Sequence, residues 1–211
     1  MKKLLFIGNS HTYVNALPHL VAELYRIYEG EEVLPVMLTQ GGVTLRWHAE
    51  QSQTGFNIRY GHYDYIVMQQ ATHPFDGAEC LRRGVQMLLP DIRQSGAEPV
   101  LYMTWAEKAH PENQAELTEA FTDVAASEGT LLAPAGVIWE KMLSEHPEAA
   151  LYAADGAHAG ILGSYLAAVS VFMAMTGRKE LPFREDSFYA GKKLDAALCK
   201  EVHRIAEEVM G

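Results

Sequence analysis

Cysteine is scarce in this chain of 211 residues: Cys80 and Cys199 are the only two. Two isolated thiols make neither a disulfide framework nor a Cys-x-x-Cys zinc site. Both fall in stretches with helical periodicity and read as ordinary buried thiols, which suits a reducing compartment. Cations are short as well. Lys and Arg number 17 against 27 Asp and Glu, a formal charge of −10, and no basic run occurs, so the phosphate-tracking surface that nucleic-acid binding needs is missing. Long hydrophobic runs are also lacking. The apolar start at residues 4–7 is far shorter than the roughly 7–15 residues of a secretory h-region. The stretch 161–175 is interrupted by Gly163, Ser164, Tyr165 and Ser170 and is too short to span a bilayer comfortably. These absences predict a cytoplasmic protein with neither nucleic acid nor membrane as partner; they leave open whether it is a homo-oligomer. Neither G-x-x-x-x-G-K-[ST] nor G-x-G-x-x-G occurs, which argues against a phosphate loop, and there is no H-E-x-x-H.

What is present is a core. With 48% hydrophobic residues the chain can fill one interior, and one domain over 1–211 fits its length better than two. Near-continuous apolar runs at 3–7, 33–38, 65–68, 99–103 and 130–133 read as five strands buried on both faces. Amphipathic stretches lie between and after them, at 17–28, around 47–53, and at 78–95, 114–127, 137–146, 160–175 and 194–210. Pro18 suits a first helical turn, and Gly30, Gly96 and Gly129 stand just past helix ends. Residues 179–192 read as a surface excursion. Strand and helix alternating in this way predict a three-layer α/β/α sandwich around a five-stranded parallel sheet. Ligands in such folds bind beyond the carboxyl ends of the strands, near the point where strand order reverses.

Four of those strand-end or loop segments carry candidate chemistry. The first strand ends in Gly8-Asn9-Ser10-His11-Thr12, where Ser10 could present a hydroxyl at the sheet edge or simply cap a helix. The second leads to Gly41-Gly42, which would let backbone N–H groups face a ligand, or would merely turn the chain. The third runs into Gln69-Gln70-Ala71-Thr72-His73, two amides that need hydrogen-bonding partners if buried. Asp155-Gly156-Ala157-His158 opens the penultimate helix; at this spacing a carboxylate can hold one imidazole nitrogen and leave the other to accept a proton from a serine.

Taken together and in this order, the four segments resemble the SGNH (GDSL-like) hydrolase family along essentially the whole chain. Gly8-Asn9-Ser10 is similar to its G-D-S block, Gly41-Gly42 to its glycine block, and Asp155-x-x-His158 to its D-x-x-H block. Gln69-Gln70 stands where the family has G-x-N-D, as in a subgroup seen in bacterial proteins. The resemblance implies a flavodoxin-like strand order and a serine esterase acting on a small acyl ester, such as an O-acetyl group on a carbohydrate or other polar carrier. It implies Ser10 as nucleophile, His158 and Asp155 completing the triad, and no cofactor. The oxyanion would be held by the N–H groups of Ser10 and Gly42 and by the Gln69 amide, with Gln70 as the alternative donor. The nucleophile elbow G-x-S-x-G is absent, which separates the chain from ordinary α/β-hydrolases. Two other readings keep the sheet but not the reaction: a catalytically inactive ligand-binding module and a flavodoxin-like mononucleotide binder.

Nine histidines invite a metal hypothesis, but no tight His/Asp/Glu cluster is evident in the sequence. His11, Gly41, His48, Gln70, His73 and Trp105 are instead expected to line the substrate site, Trp105 as a packing platform. His62, His146 and His203 read as solvated surface residues.

Overall fold

The first strand shows how this sequence makes layers. In β1 (Lys2–Gly8), Leu4 and Phe6 turn to one side and Leu5 and Ile7 to the other, and all four are buried, because successive side chains on a strand face opposite ways. A strand apolar on both faces needs cover on both. The computed structural model, which describes residues 1–184 and 194–211, supplies it. With β2 (Val33–Thr39), β3 (Tyr65–Gln69), β4 (Glu98–Tyr102) and β5 (Leu131–Ala133), β1 forms one parallel sheet in the order β2-β1-β3-β4-β5. A short α1 (Ser10–Tyr13) follows β1. Next, α2 (Leu17–Tyr28) packs with α7 (Ala135–Glu145), α8 (Ile161–Thr176) and α9 (Ala196–Met210) over Leu4, Phe6, Val67 and Val100. The opposite face, with Leu5, Ile7, Ile66 and Met68, is covered by α3 (Leu45–Ala49), α4 (Ser52–Tyr60), α5 (Gly77–Ser95) and α6 (Gln114–Glu128). The expected α/β/α sandwich with flavodoxin-like strand order is the observed fold.

Burial is heaviest in α8, where 13 of 16 residues are buried. Such a helix has water on almost no side and serves as the spine of its layer. α5 and α6 end at Gly96 (φ 83°) and Gly129 (φ 60°), in the left-handed conformation that costs glycine least. Among the described residues no helix is long and apolar enough to cross a membrane.

Three details differ from expectation. The helix expected around 47–53 is two helices: Thr44 caps α3, its Oγ1 accepting from Trp47 N at 3.3 Å, and α4 follows separately. Only Thr54 and Ile58 of α4 are buried, so its sequence carries almost no apolar stripe. The excursion expected at 179–192 falls largely on residues 185–193, which lie outside the described residues, but Leu181 before them is fully buried. His203, expected in solvent, is buried too: its Nδ1 donates to Leu181 O at 2.6 Å and its Nε2 accepts from Tyr165 Oη at 2.7 Å. Burial lowers its pKa and keeps the ring neutral.

Candidate active site

The sheet order reverses between β1 and β3, and the loops leaving those strands build the site. β1 ends at Gly8, where an added Cβ would stand 2.4 Å from Thr12 Oγ1 and 2.5 Å from Gln69 Oε1. Only glycine admits both groups under the loop. Asn9 then caps α1, its side chain accepting from His11 N at 3.0 Å, while its Nδ2 donates to Val43 O at 3.3 Å. The second bond ties the loop to the turn containing Gly41 and Gly42, which lie exposed beside it, Gly42 with φ 72°. Ser10 is thereby set at the first position of α1, half-buried.

Its partner arrives from 148 residues away: His158 Nε2 lies 2.8 Å from Ser10 Oγ. The other ring nitrogen, Nδ1, donates to Asp155 Oδ2 at 2.6 Å, and Asp155 Oδ1 accepts from the N–H groups of Ala157 and His158, both at 3.0 Å. One carboxylate thus closes its own turn and sets the tautomer of the histidine, leaving the Nε2 lone pair aimed at the serine. The bonds from His158 and from the two backbone N–H groups drive the Asp155 pKa well below the usual carboxylate range. The D-x-x-H segment does not open a helix, as the sequence suggested. It forms a separate turn pinned by Ala153 N→His158 O (2.8 Å) and Lys108 N→Gly156 O (2.8 Å), with α8 starting afterwards at Ile161.

No protein-family model matches the chain, and no curated protein matches it. Solved structures do. A protein of Slackia heliotrinireducens proposed to be an SGNH hydrolase is 28% identical, with a TM-score of 0.68 over 82% of this chain and 98% of that one. A DUF4886-family protein from Bacteroides uniformis is 19% identical, with a TM-score of 0.80 over 99% and 94%. An acetylxylan esterase from Geobacillus stearothermophilus is 14% identical, with a TM-score of 0.60 over 83% and 93%. The chain has the SGNH-hydrolase fold.

Within the SGNH frame, His11 and His73 gather around His158. The His11 ring stacks on His158 with centroids 4.9 Å apart and meets His73 edge-on at 4.6 Å. Burial, reinforced by the neighbouring His73 and His158, pushes the His11 pKa down to about 3, and burial also lowers that of His73. Both rings stay neutral beside the histidine that faces the serine. Among the described residues, one group of three metal-type side chains converges, Glu145, His146 and Glu201, away from this site.

Four of the sequence-predicted site residues are committed elsewhere. Trp105 is fully buried and stacks on Trp139 at 3.8 Å, so it offers no open face for substrate; its Nε1 donates to Ala157 O at 2.9 Å and braces the Asp155–His158 turn instead. His48 is buried beneath β1 with its Nε2 donating to Gly8 O at 2.8 Å. Gln70 Oε1 accepts from Leu45 N at 2.9 Å, holding the start of α3. Gln69, the expected oxyanion donor in the third SGNH block, turns its amide under the serine loop. Its Oε1 accepts from Asn9 N (2.8 Å) and Thr12 Oγ1 (3.0 Å), and its Nε2 donates to Gln70 O (2.5 Å). A buried amide oxygen with two donors on it is a structural acceptor, and the observed contacts give Gln69 that work rather than a place against an oxyanion. Gln69→Leu, of similar size, would leave Asn9 N–H without its acceptor. Urea unfolding is expected to show a loss of about 1–3 kcal/mol; an unchanged midpoint would show that the amide is dispensable to the loop.

Proposed function

We propose that the protein is a serine esterase that removes a small acyl group, an O-acetyl or similar, from a carbohydrate or comparable polar carrier. The observation that carries this reading is the continuous chain Asp155–His158–Ser10, at 2.6 and 2.8 Å, on an SGNH fold. In the proposed reaction Ser10 Oγ attacks the acyl carbonyl as His158 Nε2 takes its proton, and Asp155 stabilises the imidazolium without itself becoming protonated. The N–H groups of Ser10 and Gly42 receive the oxyanion, a role the glycine turn supports by lying beside the serine loop. His158 then returns the proton to the departing alcohol, and water repeats the sequence on the acyl-enzyme.

The carrier is suggested by a hollow of about 230 Å³ beyond the ends of β3 and β4, bounded among others by Thr72, His73, Phe75, Glu107, Asn113 and Glu116. Two carboxylates, Glu107 and Glu116, and the Asn113 amide make the wall rich in acceptors. Such a wall favours a carrier rich in hydroxyl donors and disfavours an anionic one. The acetylxylan esterase among the neighbours supports the same class. Acetylated sugars and aryl acetates, assayed side by side with wild type and Ser10→Ala, test the reading. Turnover by wild type that is lost in the variant supports it; inactivity on every ester would leave a binding protein on the same fold.

The pH profile follows from the groups around His158. A protonated imidazole cannot accept the serine proton, so kcat/KM is expected to fall on acidification. The slope should be one. Hydrogen bonds hold Asp155 well below the usual carboxylate range, burial lowers His73, and burial pushes His11 down to about 3, so all three lie below the ordinary imidazole value. A limb of slope two in log(kcat/KM) against pH would reveal a second essential base.

A further inference from the structure

The Ser10–His158 hydrogen bond is not a durable way to hold the two groups together. On the proposed reading that these two residues react, it reverses donor as Oγ bonds to the acyl carbon and its proton moves to Nε2, and it is given up when that proton passes to the departing alcohol. Alignment through the reaction must come from contacts that do not change. Asn15, five residues after Ser10, makes such contacts: its Nδ2 donates to Ala159 O and to Ser164 Oγ, each at 3.0 Å. An amide NH₂ has two hydrogens, so both bonds can be made at once. Ala159 directly follows His158, and Ser164 lies in the first turn of α8. On the other side of His158, Ala157 O is held by the Trp105 indole. The carbonyls flanking the histidine are therefore gripped by side chains from elsewhere, and one of the two grips comes from the nucleophile's own segment.

The backbone at Asn15 is unusual. Asn15 (φ 53°, ψ 21°) and Ala16 (φ 54°, ψ 47°) are consecutive left-handed residues between α1 and α2. Asparagine visits that region more readily than most residues, whereas alanine has no side-chain bond to offset it, so the surrounding structure must impose it.

We propose that Asn15 is a positioning residue that fixes the His158 segment against the Ser10 segment, so that the attack geometry survives loss of the serine–histidine hydrogen bond. Misplacement by about 1 Å can cost about 10²-fold in rate. Asn15→Gly keeps the left-handed backbone and deletes the amide; Asn15→Asp keeps the size but, as a carboxylate, cannot donate to Ala159 O. Each is assayed on an aryl acetate, with the rate of fluorophosphonate labelling at Ser10 and the thermal midpoint measured on the same protein. Both variants are expected to lose about 10²-fold in kcat and in labelling rate, with KM within twofold and the protein folded at the assay temperature. Rates within twofold of wild type, or a loss no greater than the fall in folded fraction, would overturn the proposal while Ser10 labelling in wild type still supports the esterase reading. A wild type neither labelled nor active would sink both.

Discussion

Ser10→Ala should lower kcat by about 10⁶-fold, the scale seen when a triad nucleophile is deleted from a serine hydrolase. The hydroxyl supplies the bond-forming atom, and nothing near it can substitute: His11 is buried and stacked, and Thr12 Oγ1 is spent on Gln69 Oε1 at 3.0 Å. Substrate binding should survive, because the acceptor-rich hollow and the glycine turn are untouched, so the loss falls on kcat and not on KM. Stability should hardly change, since the substitution removes one half-buried hydroxyl and its single bond to His158. A fluorophosphonate probe checks the same point independently. It should add to the peptide containing Ser10 in wild type and to none in the variant; addition at Ser52 or Ser164 instead would sink the assignment.

The second large effect is expected from Asp155→Asn, about 10⁴-fold in kcat. With its oxygen toward the Ala157 and His158 N–H groups, the substituted amide keeps the bonds that close the turn. What changes is the contact at 2.6 Å to His158 Nδ1. If the amide nitrogen faces that site, it meets the ring with a donor and favours the tautomer protonated at Nε2, whose nitrogen cannot take the serine proton. If the amide oxygen faces it, the tautomer is kept, but the negative charge that stabilises the imidazolium is gone and the NH₂ leaves the Ala157 and His158 N–H groups without an acceptor. Asp155 has a side chain 51% exposed, so solvent can compete for this role. A loss below tenfold, with the protein folded by circular dichroism, would mean that water orients His158 nearly as well as the carboxylate does.

Much of this fold was legible because its signals are local. Five apolar runs with helices between them specify a covered parallel sheet, and Leu4 to Ile7 alternate between its two layers as a strand must. Ser10, Asp155 and His158 could be picked out because two short motifs carry them, although nothing in either motif says that they meet. The misreadings share a different cause. Whether Gln69, Trp105 and His48 face substrate or backbone depends on side-chain direction at strand ends and, for His48, in the five-residue α3, which is too short for a periodicity to show. His203 is another case: Cys199, Val202, His203 and Ala206 fall on one face of α9, so the helical spacing did mark position 203 as inward. Residue type points to solvent and position to the core, and position prevails because Tyr165 and Leu181 O satisfy both ring nitrogens.

The wide separation of Ser10 and His158 along the chain also has a consequence for the order of events during synthesis. At roughly 5–20 residues per second, the ribosome takes about 7–30 s to travel the 148 residues between them. Throughout that interval the proposed nucleophile exists without its proposed base. His158 is made just before α8, the spine of one layer, and α8 also carries Ser164, one of the two groups that Asn15 grips. The pairing of Ser10 with His158 therefore waits on the assembly of this layer, which α8 and then α9 complete.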